Sequence, residues 1–302
     1  MRNFAATIYP TMTRRKKKAR RRSAQWLTVI IVAIGAIWFA SAIRARDEAN
    51  ATSEETGTER TYRPVATASG EEMLAVATNP QLPGIDVAYE GMILSFNPMM
   101  HVPNWVSWEL TADETSGHAE RYDKFMTDES VEGCAEPWDY SYSGYDRGHM
   151  APAGDMKWSD EAMRHTFYLT NICPQMKSLN TGAWKRLEEK CRQWAKADSA
   201  ILIVCGPVLT DSIREYIGDS RVAVPERFFK VVLAPYTNPV RGIGFIMENG
   251  RVEGGMQRAA VSIDEVERVT GHDFFAWLPD DIEKKAEAEC DFPYWSNIRP
   301  KK

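Results

Sequence analysis

An α+β domain with a mixed or antiparallel sheet, preceded by a single transmembrane helix, is the fold class the sequence predicts, and three observations predict it. Short apolar and β-branched runs, punctuated by turn residues, recur from about residue 87 onward. The helical stretches among them follow no regular βαβ rhythm, and no GxGxxG occurs, which argues against a doubly wound sheet. Near the N-terminus stands an uncharged apolar run, Ser23 to Ile43, long enough to cross ~30 Å of hydrocarbon as a helix.

Residues 1–22 form a basic tail, with nine Lys and Arg and no acidic residue. The positive-inside rule keeps such a flank in the cytoplasm, and Trp26 and Trp38 suit the two interfaces of a bilayer-contacting span over residues 23–43. The expectation is a single-pass membrane protein, N-terminus cytoplasmic, with everything after Arg44 extracytoplasmic (periplasmic or extracellular). Two other readings compete. The basic run could be a nucleic-acid-binding tail, although that does not explain the abutting apolar segment. Ala40-Ser41-Ala42 has the form of a signal-peptidase site, which would make residues 23–43 a signal peptide with the same final placement.

Residues 44–80, rich in Ala, Thr, Glu and Gly, read as a polar stalk, and residues 81–302 as one domain able to bury a single substantial core. Once the tail is set aside, 28 of the 37 basic residues face 42 acidic ones, a formal charge of −14. The five cysteines would permit two disulfides and one free thiol in an oxidising compartment, and the lack of any CxxC argues against a zinc cluster.

Strands are expected at Val87–Phe96, Trp105–Thr111, Phe167–Thr170, Ala200–Val204, Phe228–Ala234 and Ile243–Met247. Helices are expected at Ser159–His165, Thr181–Ala197 and Ser262–Leu278, the last opening on Ser262 as cap with Asp264 and Glu265 in its first turn.

Chemistry concentrates in two segments. One of only five histidines sits in Tyr145-Asp146-Arg147-Gly148-His149-Met150-Ala151-Pro152, where a glycine that could let the chain turn tightly would allow a carboxylate, a guanidinium and an imidazole to converge. The second segment is Thr170-Asn171-Ile172-Cys173-Pro174-Gln175, followed by Leu179-Asn180-Thr181-Gly182-Ala183-Trp184-Lys185-Arg186-Leu187-Glu188. Together these resemble the DNA/RNA non-specific endonuclease family of the ββα-metal superfamily, which takes in the Serratia-type and mitochondrial G-type endonucleases. Weaker likeness runs from about Tyr89 through WVSWELT to the GHDFF segment.

The resemblance implies a ββα-metal core, His149 as general base, and Asn180 as the only direct protein ligand of a hydrated Mg²⁺, with Mn²⁺ as the alternative. It places the family's glutamate on Glu188 and its arginines on Arg147, Arg121 and Arg192, any of which could clamp a phosphate. Asp146 and Asn171 complete the expected site. On a continuous helix Glu188 would lie roughly 12 Å and about 80° from Asn180, which suits contact with the metal's waters and not with the metal. Each residue also has a plainer reading: Asn171 as a backbone pin, Trp184 as core, Glu188 with Lys185 or Arg192 as an ordinary helix pair.

The implied reaction is hydrolysis of DNA and RNA. His149, with an ordinary pKa near ~6.5, takes a proton from water, and the hydroxide attacks phosphorus, leaving 5′-phosphate ends. A thiol hydrolase built on Cys173 and His149 would leave Asn180 and Arg147 idle, and a membrane-tethered nucleic-acid-binding protein without catalysis would not need every motif residue. The charge of −14 demands a local basic cleft for a polyanionic substrate.

Overall fold

The computed structural model describes residues 70–298. The expected basic tail (1–22), apolar span (23–43) and most of the stalk lie outside the described residues. Among the described residues no helix is long and apolar enough to cross a membrane.

Among the described residues, seven α-helices and thirteen strands follow in chain order: α1 (Gly70–Leu74), β1 (Val76–Ala77), β2 (Ile85–Tyr89), β3 (Met92–Asn97), β4 (Val102–Thr111), β5 (Asp146–His149), α2 (Asp160–His165), β6 (Ile172–Gln175), α3 (Lys185–Asp198), β7 (Ala200–Pro207), β8 (Tyr216–Ile217), β9 (Val222–Ala223), β10 (Arg227–Ala234), β11 (Arg241–Glu248), α4 (Gly255–Ala259), β12 (Ala260–Val261), α5 (Ile263–Thr270), β13 (Asp273–Phe274), α6 (Asp280–Ala288) and α7 (Phe292–Asn297). A seven-stranded sheet in the order β12-β11-β10-β7-β4-β3-β2 forms the centre, and every neighbouring pair in it is antiparallel. The domain is therefore α+β, as expected.

The central strands are apolar on both sides because both faces of the sheet are covered. On β7, Ile201, Ile203 and Cys205 enter one core while Leu202 and Val204 enter the other; on β10, Phe228 and Val232 alternate with Phe229, Val231 and Leu233. The first core takes Leu187, Cys191 and Trp194 of α3, and the second takes Ile263 and Val266 of α5 and Ala286 of α6.

The expected strand at residues 87–96 is a hairpin, β2 and β3 joined at Glu90 and Gly91. The run Phe167–Thr170 is no strand: Leu169–Asn171 is a 3₁₀ turn and the strand begins at Ile172. A short buried apolar run does not declare its own backbone conformation. Ser262 caps α5 as expected, its Oγ accepting from the Glu265 N–H at 3.2 Å, but α5 ends at Thr270. Gly271 follows in the left-handed region at φ 71°, which stops the helix, and β13 leads back to pair with β1. Residues 70–79, within the expected stalk, belong to this fold: the Asn79 N–H donates to His272 Nδ1 at 3.0 Å and Trp277 Nε1 donates to the Met73 carbonyl.

Candidate active site

The two motif segments meet as an antiparallel ribbon of β5 and β6, with Asp146 opposite Gln175, Gly148 opposite Cys173 and His149 opposite Ile172. The glycine serves close approach here, not the tight turn expected of it. A Cβ at Gly148 would sit 2.2 Å from Gln175 Oε1, so only glycine lets that side chain cross the ribbon. Beyond β6 the chain enters a π-type turn, Leu179–Trp184, broken by non-helical angles at Gly182 (φ −105°, ψ −111°), and continues as α3. Asn180 precedes this break and Glu188 follows it, so the spacing of a continuous helix does not apply to the pair. The order strand, strand, helix nonetheless stands.

The two asparagines have different surroundings. Asn171 is fully buried; its Oδ1 accepts from the Ala151 N–H, and its Nδ2 donates to the carbonyls of Ala151 and Thr166, each at 2.9 Å. With every polar atom engaged, it pins the chain leaving β5 to the turn entering β6. Asn180 is half-buried, and its Nδ2 donates to Asp146 Oδ2 at 2.9 Å, which orients the amide and leaves Oδ1 as its acceptor.

His149 lies with its ring 5.4 Å from Phe125 and edge-on to Phe167 at 4.9 Å, while Trp184 Nε1 donates to its carbonyl at 3.2 Å. Its Nε2 is shielded and has no hydrogen-bond partner. Burial, and then the charge of Arg121, push its pKa down to about 3, so the imidazole is neutral at physiological pH.

Arg121 is brought beside this pocket: its guanidinium lies 5.0 Å over Phe167 while Nε pairs with Asp123 at 3.0 Å. Arg147 stacks 5.4 Å from Phe125 and 5.6 Å from Tyr140, donates from Nη2 to the Pro137 carbonyl at 2.6 Å, and keeps a buried Nε without a partner. Arg192 lies deeper, bound through Nη1 to the buried Asp155 at 2.7 Å. Burial lifts the Glu188 carboxyl to about 7; Lys230 and Arg192 oppose that rise and Asp155 adds to it.

Sequence reasoning misses Lys230. It stands on β10 with 0% exposure, its Nζ 4.9 Å from the Trp108 ring centre and 4.5 Å from that of Trp184. Burial alone would lower its pKa, but Cys205, Cys191, Glu188 and Asp155 raise it overall, so it remains a cation. A lysine inside the apolar run Phe228-Phe229-Lys230-Val231-Val232 is the signal that could have found it, because such a residue is buried only when charge or π density awaits it.

All five cysteines are free, so the two permitted disulfides do not occur. Cys173 is buried, and burial followed by Cys205 pushes its thiol well above the ordinary value, which removes the thiolate a thiol hydrolase would need.

A ββα unit set on an antiparallel sheet, holding an unpartnered neutral histidine beside arginines, defines a class: the ββα nucleases. The chain belongs to the DNA/RNA non-specific endonuclease family, whose model matches residues 74–281. It is similar to the mitochondrial nuclease EXOG of Danio rerio, 37% identical over 207 residues covering 63% of this chain and 60% of that protein. It is also similar to the human mitochondrial endonuclease G, 32% identical over 197 residues covering 60% and 66%. The crystal structure of an EndoG/EndoGI complex matches 71% of this chain and 94% of that one, with TM-score 0.61 and 30% identity. The matched part of the chain thus spans about 60% of the Danio rerio relative's length.

These relatives correct the expected placement. They are named as mitochondrial nucleases and not as single-pass membrane proteins, and no described helix is long and apolar enough to span a bilayer. The expected extracytoplasmic, membrane-anchored domain rests on residues 1–43 alone, where a basic flank beside an apolar run reads alike in an anchor and in other targeting segments.

Proposed function

We propose that the chain is a metal-dependent endonuclease that hydrolyses phosphodiester bonds of both DNA and RNA. The observation that carries this reading is the shielded, unpartnered Nε2 of His149, held neutral beside Arg121 and Arg147. A base kept unprotonated among cations suits a substrate whose every link is an anion.

The donor set fits a hard divalent ion. The Asn180 amide, turned by Asp146, presents a neutral oxygen, and Mg²⁺, or Mn²⁺ in its place, is commonly held by few protein oxygens and several waters. When bound there, the ion would supply neutralisation of charge on the phosphoryl and leaving oxygens. Asn180 is the residue to hold it, and the carboxyl of Glu188 is suited to accept hydrogen bonds from water.

His149 Nε2 takes a proton from water, the resulting hydroxide forms a bond to phosphorus while the bond from phosphorus to O3′ breaks, and O3′ leaves as a hydroxyl after taking a proton from a solvent water. The Arg147 Nε, buried and without a partner, and the guanidinium of Arg121 are the donors to the phosphate oxygens. Because the nucleophile is water, the ribose 2′-hydroxyl is unnecessary, so DNA and RNA serve alike and 5′-phosphate ends result. The test is incubation of the protein with plasmid and with RNA, in Mg²⁺ and in EDTA. Cleavage of both in Mg²⁺ only, with ends that a ligase accepts, is expected; RNA-only cleavage with 2′,3′-cyclic phosphates would refute it.

A further inference from the structure

We propose that Asp264, Glu267 and Glu287, where α5 meets α6, form a second cation site that takes a calcium-class divalent ion. One carboxylate oxygen from each residue lies within 4.8 Å of the others. Three oxygens no more than 4.8 Å apart lie at most about 2.8 Å from a common centre, so side-chain shifts of a few tenths of an ångström bring all three to the roughly 2.3–2.6 Å of calcium ligation.

An independent observation points to a ligand. Glu287 is only 6% exposed, and its Oε1 is shielded from solvent with no hydrogen-bond partner. A buried carboxylate is ordinarily matched by Lys or Arg, yet among the described residues no ion pair reaches Asp264, Glu267 or Glu287. The charges acting most strongly on Glu287 are all negative: Glu267 and Asp264 from α5, Glu283 from its own helix and Asp273 from β13. Burial, reinforced by these neighbours, lifts its carboxyl to about 9 and that of Glu267 to about 7. Glu267 Oε1 already accepts the Phe274 N–H at 2.8 Å, which fixes that carboxylate against β13.

The donor chemistry selects the ion. Three carboxylates without thiol or imidazole suit a hard cation, and the exposed Asp264 leaves the outer side open to water. Calcium accepts such irregular, partly hydrated shells more readily than magnesium, which demands a near-octahedral one. Ile263, Val266 and Ala286 pack this helix pair into the second core, on the other side of the sheet from α3, so the inference does not depend on the nuclease reading.

The test uses the full chain carrying Asn180→Ala, so that the proposed catalytic centre does not contribute. Calorimetric titration with CaCl₂ should show one ion bound per chain, and adding Glu287→Gln should weaken it at least tenfold. In about 1 mM Ca²⁺ the Tm of the parent should rise by roughly 5 °C, the scale of ligand stabilisation for a domain of this size. Glu287→Gln should raise the Tm in EDTA, because a carboxyl that must take up a proton to be buried is replaced by a neutral amide, and should abolish the calcium response. Asp264→Asn, at an exposed position, should also blunt the response, and it serves if the Gln variant does not fold. No heat and no Tm response in the parent would overturn the site and assign the cluster to a proton shared by Glu267 and Glu287. An equal response in parent and variants would overturn it as well.

Discussion

The two faces of the central sheet treat buried charge in opposite ways. Under α3, Lys230 stays a cation between Trp108 and Trp184, with Asp155 and Glu188 at hand, while His149 is driven neutral. Under α5 and α6, carboxylates gather without a cation, and burial drives them toward their neutral form. Burial penalises charge on both faces; the difference is whether a partner of opposite sign is built into the fold. The first face is supplied by side chains of its own, whereas the second leaves its neutralisation to something from outside.

The largest effect expected on the first face separates chemistry from scaffold. His149→Ala should lower turnover on plasmid DNA by roughly 10² to 10⁴, the usual worth of a positioned base, while the variant still folds. Near-normal cleavage by that variant would remove His149 from the mechanism. Asn171→Ala should behave in the reverse manner: three buried hydrogen bonds are lost and their partners stranded, so denaturant unfolding should show a loss of about 3 kcal/mol. A stable but inactive Asn171 variant would mean that it touches substrate after all.

A smaller difference concerns the metal. Asn180→Ala should raise the Mg²⁺ concentration needed for half-maximal cleavage much more than Glu188→Ala does, since in the proposed mechanism one removes a ligand oxygen and the other an acceptor for water. Equal shifts on titration with Mg²⁺ would erase that distinction.

The smallest expected effect is the acid response of stability. His149 and His272 have folded pKa values of about 3 and about 4, both lowered mainly by burial, against ~6.5 when unfolded. At these two positions the unfolded chain therefore binds protons that the folded one refuses, and their contribution to stability falls as pH drops below about 6.5. Each histidine should contribute on the order of 1–2 kcal/mol of loss by about pH 5. The raised carboxyls of Glu188, Glu267 and Glu287 act in the opposite sense over the same range, so the histidine contribution is read as a difference. On going from pH 7.5 to pH 5 in EDTA, the Tm of His272→Gln should gain on that of the parent, and identical shifts in both would show that His272 titrates normally.

Part of this protein is legible from local chemistry alone. Alternation and β-branched runs locate β4, β7, β10 and β11, and Ser262 marks the start of α5, because side-chain period and helix capping are properties of a few consecutive residues. Asp146, Arg147, His149 and Asn180 are visible because their motifs are contiguous, and the family follows from them. Only the tertiary structure decided what depends on distant partners. The role of Gly148 rests on Gln175, and the reach of Asn180 rests on Asp146, 34 positions away. The lowered pKa of His149, the cation at Lys230 and the unpaired carboxyl of Glu287 likewise arise from burial, and burial belongs to the packed sheet and not to any one segment of chain.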